Sequence, residues 1–433
     1  MWAEKLKLSK QLVRSVTEAG YFTPKEIQSK TLSRIIGGQD IIAVSPEGSG
    51  KTTAYILGVL MRLKYGFEEA PRALILVPNK DKVLEVIAQF ELLNKNASIR
   101  VVGLYTEPSI QPQMDALADG ADIVVATPDR ARAIYLKLGL NLNKIIMLVI
   151  DDAAEIVKQG AQLPVAELAN SIIKCQHLVF TEVMHSKLQQ MIEPFMSMPA
   201  LIEVEELGEA KAEIHIQSLY LVPNFKTKLN LLALLLKDTE PEVKTTVFVS
   251  TRLNAEKVFN HLKPILKNGV AILNPMMFES RGFASITEFI DQQESRALII
   301  ANELSGSYDL SDISQLIHFE IPEDTETFVQ RMIKDSTDDS EVSSIIFATE
   351  LELALVKRIE QTIGQKVIIN ELPEGLHIII EQKDKKTVKS EKTAKTDITE
   401  RGEAFHEKKA SNKKDYNYSA GTKAKMTKKK KHS

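Results

Sequence analysis

The chain is short of several things, and each shortage excludes something. Among 433 residues there is one cysteine, Cys175, so no internal disulfide can form and a small disulfide scaffold is excluded. A reducing, cytoplasmic setting is the expectation that follows. No apolar run approaches the roughly 18 residues of a membrane span. The longest, IIMLVI (145–150) and LLALLL (231–236), read as a core strand and a core helix. The first residues, MWAEKLKLSK, contain no apolar stretch of the kind used for secretion, so export is not expected. His185, His215 and His318 lack metal-ligand spacing and the lone cysteine has no partner, which argues against a zinc site. No local pattern suggests a Ser-His-Asp arrangement.

What remains is an ordinary globular composition, 44% hydrophobic and 26% charged, in a chain long enough for two domains. The net charge of −3 hides an asymmetry. Residues 381–433 hold 17 Lys and Arg against 8 Asp and Glu, whereas residues 1–380 hold 38 against 50. An acidic body carries a basic tail. The tail is mostly Lys, Thr, Ser, Glu and Asn, too poor in apolar side chains to offset the entropy of ordering, and is expected to be disordered.

Through the body, short Val- and Ile-rich runs alternate with helical spacing. The first set is 40–45, 73–78, 100–105, 122–127, 145–151 and 177–181; the second is 218–223, 245–250, 269–273, 296–301, 315–322 and 343–349. This βαβ rhythm predicts two α/β domains, each a mostly parallel sheet flanked by helices. The expected boundaries are 1–205, a charged linker at 206–213, a second domain at 214–380 and the tail at 381–433.

Residues 45–52 read SPEGSGKT, between a strand-like run and a helical one. In that context a glycine-rich loop cradles phosphate. Gly48, Ser49 and Gly50 allow the backbone amides to point inward, Lys51 reaches the β- and γ-phosphates, and Thr52 holds Mg²⁺. Glu47 is unusual in such a loop, because it sets a carboxylate near anionic phosphates.

The surroundings of this loop resemble the DEAD-box RNA helicases over residues 1–350 or so. GYFTPKEIQ (20–28) is similar to the family's glutamine motif, PNKDKV (78–83) stands at its Pro-Thr-Arg-Glu motif, and ATPDR (126–130) is similar to its Thr-Pro-Gly-Arg motif. VIDDAAE (149–155) stands at the Asp-Glu-Ala-Asp box and FTEV (180–183) at the Ser-Ala-Thr motif. VFVSTR (247–252), IIANELSGSYDL (299–310) and FVQRMIKDST (328–337) resemble motifs IV, V and VI. The resemblance implies two tandem RecA-like domains that clamp ATP between them and RNA across them. It implies adenine recognition by Gln28, with Trp2 near the stacking aromatic, Mg²⁺ at Asp151 and Thr52, and a ribose contact from Asp309. It further implies RNA-backbone contacts from Pro78, Thr127, Pro128, Arg130 and Arg252. The basic tail, with Lys428, Lys429, Lys430 and Lys431 at its end and Tyr416 and Tyr418 within it, is expected to add sequence-independent RNA binding. A monomer working on RNA away from membranes, with ribonucleoprotein or ribosome-assembly partners, is the implied setting.

The departures fall on hydrolysis. Asp152 stands where the family has the Glu that activates water, about 1.5 Å shorter in reach, and misplacement by ~1 Å can cost about 10²-fold. Ala154 replaces the last Asp of the box, and Thr181-Glu182-Val183 replaces its partner motif. The two arginine fingers are Lys334 and Thr337, and such fingers are worth roughly 10³–10⁵ in rate in other NTPases. The Arg-Gly of motif V reads Gly306-Ser307, while Arg331 remains in motif VI. Asp338, Asp339 and Glu341 make that region acidic. Three readings stay open: a nucleotide- and RNA-binding protein with slow or lost hydrolysis, in which Asp152 and Lys334 are weakened catalytic substitutes; an active ATP-dependent RNA helicase; and a non-catalytic protein scaffold.

Overall fold

The computed structural model describes residues 8–63, 70–107, 109–205, 217–240, 242–277, 279–304, 308–310, 312–332 and 342–379. The expected linker at 206–213 and the tail lie outside the described residues, as do Trp2, His215, Gly306, Ser307, Lys334, Thr337, Asp338, Asp339, Glu341, Tyr416, Tyr418 and Lys428 to Lys431.

Two parallel sheets form the body. The first contains β1 (Ile41–Val44), β2 (Ala73–Leu76), β3 (Val101–Leu104), β4 (Ile123–Ala126), β5 (Met147–Ile150), β6 (Gln176–Thr181) and β7 (Ala200–Glu203). The second contains β8 (Gln217–Leu221), β9 (Thr245–Val249), β10 (Val270–Leu273), β11 (Gly282–Phe283), β12 (Ala297–Ala301), β13 (Gln315–His318), β14 (Ser343–Ala348) and β15 (Ile368–Asn370). Their orders are β3-β4-β2-β5-β6-β1-β7 and β11-β10-β12-β9-β13-β14-β8-β15. With β11 set aside, both run third, fourth, second, fifth, sixth, first, seventh in chain order. The second lobe therefore repeats the wiring of the first.

Both faces of each sheet are covered, which is why the strands read as unbroken apolar runs. Ile41 and Ala43 of β1 enter one core with Ile75, while Ile42 and Val44 enter the other with Leu74 and Leu76. The second sheet divides in the same way, with Phe248 and Ile300 on one side and Val247 and Ile299 on the other. Connecting helices start at side-chain caps: Asn79 accepts the amide of Lys82 at 2.9 Å, and Thr251 accepts that of Asn254 at 3.1 Å. Loops at the carboxyl ends of parallel strands face one edge of each sheet, the usual place for a ligand in such folds.

Candidate nucleotide site

The loop between β1 and the helix Lys51–Arg62 builds the site. Gly48 and Gly50 have φ of +74° and +94°, a backbone region that non-glycine residues enter at a cost. Gly50 is also tightly approached, since a Cβ there would lie 2.5 Å from Gln28 Nε2. Lys51 Nζ donates to the carbonyls of Ser45 and Pro46, both at 2.9 Å. Ser49 ties the loop from beneath, its hydroxyl donating to the Pro46 carbonyl at 2.7 Å and hydrogen-bonded to the Ser45 hydroxyl at 2.9 Å.

A second layer comes from the helix Glu26–Gly37. Gln28 accepts the Lys25 amide at 3.0 Å and donates to the Gly50 carbonyl at 3.3 Å, while Lys25 Nζ donates to the Gly48 carbonyl. Gln28 thus couples the glutamine-motif helix to the phosphate loop. A cleft of about 420 Å³ opens here, lined by Lys25, Gln28, Gly48, Gly50, Lys51 and Thr52 together with Lys82, Asp152, Glu182 and Arg358.

Asp151 follows β5 and is buried. Its carboxylate accepts the Tyr55 hydroxyl at 2.9 Å and the Asp152 amide at 3.0 Å. Burial, then the Asp152 charge, pushes the Asp151 carboxyl up to about 7, against the opposing pull of Lys82 and Lys51. Burial likewise raises the Tyr55 phenol. Asp152 adopts left-handed φ/ψ of 48°/47° at the N-cap of the helix Ala153–Lys158, a conformation aspartate tolerates better than most residues. Lys82 Nζ lies 3.6 Å from its carboxylate. Burial alone would lower the Lys82 pKa, but Asp152, Asp151 and Glu85 together raise it.

Ala154 offers no hydrogen-bonding side chain, and the Thr181 hydroxyl instead donates to the Val183 carbonyl at 2.8 Å. Glu182, buried, receives both Nε and Nη2 of Arg358 at 2.9 Å. Arg358 belongs to the helix Leu353–Ile363 of the second lobe. Its Nε also lies 3.3 Å from Glu47 of the phosphate loop.

The residues marked for RNA are brought partly together. β2 and β4 are paired with Leu76 opposite Ala126, which sets Pro78 beside Thr127 and Pro128. Both prolines are buried, and the Thr127 hydroxyl is buried without a partner among the described residues. Arg130 Nε donates to the Tyr105 carbonyl at 2.7 Å and its Nη2 to that of Thr106. Arg252 is in the second lobe, bonded to the Asn274 carbonyl at 2.9 Å. Asp309, exposed in the second lobe, does not line the cleft. Nor does Arg331, which stacks 4.1 Å over the Phe248 ring and donates to Asn302 Oδ1 at 2.9 Å.

Lys82 and Arg358 are site residues the sequence reading missed. Arg358 meets Glu182 across 176 positions, and no local pattern marks such a contact. The available signal was Glu47 and Glu182, two carboxylates out of place beside a phosphate loop and in need of a cation. No group of three or more His, Cys, Asp or Glu among the described residues forms a metal cluster. A cation here would rest on Asp151, Thr52 and ligand oxygens, the sparse protein coordination typical of Mg²⁺. The raised Asp151 carboxyl fits such a group, because a neighbouring cation would restore its charge.

Two parallel sheets of one wiring, with a phosphate loop on the first, define a tandem RecA-like protein. Residues 25–191 match the family described as DEAD/DEAH box helicase. Relatives include the ATP-dependent RNA helicase DeaD of Buchnera aphidicola subsp. Schizaphis graminum, 28% identical over 371 residues, 85% of this chain and 60% of that protein. The DEAD-box ATP-dependent RNA helicase CshA of Bacillus cereus is 24% identical over 399 residues, 90% of this chain and 74% of that protein. The family match falls on the first lobe, and the chain as a whole is similar to DEAD-box RNA helicases over 85–90% of its length. It spans about 60% of the length of the DeaD relatives. A solved DEAD box protein from the hyperthermophile Methanococcus jannaschii aligns with a TM-score of 0.48 at 22% identity, covering 85% of this chain and 98% of that one.

Proposed function

We propose that this chain binds ATP with Mg²⁺ in the phosphate-loop cleft and RNA by its backbone, and that hydrolysis is slow or lost. It then acts as a nucleotide-dependent RNA clamp, chaperone or assembly platform. The observation that carries the reading is the contrast within one cleft. The groups that would grip a nucleotide, Gln28, Lys51 and Thr52, line it intact, while the carboxylate that would orient water, Asp152, has an ammonium 3.6 Å away.

Each residue has a physical task. The Lys51 charge and the loop amides bind the phosphates, and the helix N-terminus beneath adds its dipole. Gln28 presents an amide toward the base side while fixing the loop. Asp151 and Thr52 would hold Mg²⁺, which when bound neutralises phosphate charge and templates the oxygens. Asp152 is the residue left to orient water, with Lys334 the cation at one of the two arginine-finger positions of motif VI. Backbone recognition of RNA from the Thr127 edge and the basic tail would be salt-sensitive and indifferent to sequence.

Fluorescent-ATP binding and single-turnover hydrolysis, with and without single-stranded RNA, test this on one sample. The expected result is Lys51-dependent binding without appreciable turnover. Lys51→Ala is expected to weaken binding at least 100-fold. RNA-stimulated turnover would instead establish an active helicase motor. Binding unaffected by Lys51→Ala, or absent altogether, would leave a protein scaffold.

A further inference from the structure

Arg358 reaches from the second lobe into the cleft built by the first. The helix that carries it is fixed at its start. Lys228, buried, donates to Glu352 at 2.7 Å and 2.9 Å and to the Phe319 carbonyl at 3.0 Å. Val356, Ile359 and Ile363 bury one face of the helix in the second lobe's core, leaving Arg358 on the face that lines the cleft. The lobes also touch beside it, through Ser186 and Glu350 and through Lys366 and Glu205, the latter at 2.7 Å.

The charges at this spot are otherwise wrong for a polyanion. Glu47 and Glu182 line the same cleft as Lys51, and a triphosphate placed beside two uncompensated carboxylates would be repelled. Arg358 compensates both, donating two hydrogen bonds to the Glu182 carboxylate and standing 3.3 Å from Glu47. That grip uses Nε and Nη2; its Nη1 hydrogens have no protein partner among the described residues. A guanidinium with a free edge in a phosphate cleft is suited to a phosphoryl oxygen.

Resting on the nucleotide-cleft reading above, we infer that Arg358 completes the site from the second lobe, screening Glu47 and Glu182 and donating to the terminal phosphate of a nucleoside triphosphate. It is a nucleotide-binding residue that makes affinity for the triphosphate depend on contact between the lobes. The Arg358 guanidinium is then shared between Glu47 and the ligand.

The test is fluorescent-ATP and fluorescent-ADP titration of the full 433-residue chain carrying Arg358→Ala, Arg358→Lys, or Arg358→Ala with Glu47→Gln. ATP affinity should fall tenfold or more in Arg358→Ala and ADP affinity by less than twofold. Arg358→Lys should lie between, and adding Glu47→Gln should recover part of the loss. Equal weakening of ATP and ADP, or no change in either, overturns the inference while Lys51-dependent binding of the unsubstituted chain keeps the cleft reading. A chain that binds neither nucleotide overturns both. Thermal melting of each variant monitors folding, and Arg358→Lys carries the comparison if the alanine variant melts early.

Discussion

On the proposed reading, Lys82 is a side chain of this cleft that bears directly on the rate of hydrolysis. It lies on the first turn of the helix Lys80–Leu93 and faces the acidic pair at the end of β5. Removing its charge should release the Asp152 carboxylate to orient water. Lys82→Leu is expected to raise the single-turnover rate of ATP hydrolysis on the order of tenfold, with a further gain when Asp152→Glu restores reach. An unchanged rate in quench-flow would place the block elsewhere, in motif VI or in lobe contact. The phosphate loop, Gln28 and Asp151 were legible because their chemistry is written in short local patterns. Lys82 and Arg358 were not, because Lys82 meets Asp152 only when β2 and β5 pair, and Arg358 meets Glu182 only when the lobes touch. Tyr55 was equally hidden. It reads as an apolar position of the helix after the loop, yet its hydroxyl is 2.9 Å from Asp151.

Among the elements, β13 carries a group whose cost can be measured. His318 is fully buried between the Phe248 and Phe328 rings, at 5.1 Å and 4.5 Å, with neither ring nitrogen paired among the described residues. Burial, then the Arg331 charge, lowers its pKa well below the ordinary histidine value. Both folded and unfolded chains hold this ring neutral above about pH 6.5. Below that the unfolded chain takes up a proton and the folded one does not. Stability is therefore lost as pH falls from about 6.5 toward the depressed folded value, by at most about 1.4 kcal/mol per pH unit. His318→Phe should flatten this part of the stability profile in denaturant melts at pH 7, 6 and 5; a parallel profile would acquit the histidine. The interior strands were all readable from their apolar runs. β7, β11 and β15 were not, being short edge strands of four, two and three residues. Two of them, β11 and β15, have no buried residue to give a pattern.

For the molecule as a whole, charge is divided between an acidic body and a basic tail. Deleting residues 382–433 is expected to lower affinity for single-stranded RNA and to flatten its dependence on salt. The change in the log–log slope should be about 0.7 for each phosphate contact the tail supplied. Filter binding between 50 and 200 mM salt measures it, and an unchanged slope removes the tail from RNA binding. The two-lobe organisation was legible because the strand rhythm restarts after residue 217. That the two lobes share one strand order was beyond sequence reading, since order is a property of pairing.

That shared order gives every loop of one lobe a counterpart in the other. The counterpart of the phosphate loop is the turn between β8 and the helix Phe225–Asp238, three residues where the first lobe has six. Asn224 fills it, its side chain accepting the Thr227 amide at 2.9 Å. Backbone groups that lie open to an anion in one lobe are already occupied by a side chain in the other. On the proposed reading, a difference of three residues in one loop separates a receptor for phosphate from a sealed turn, and assigns the two halves of a repeated architecture different work.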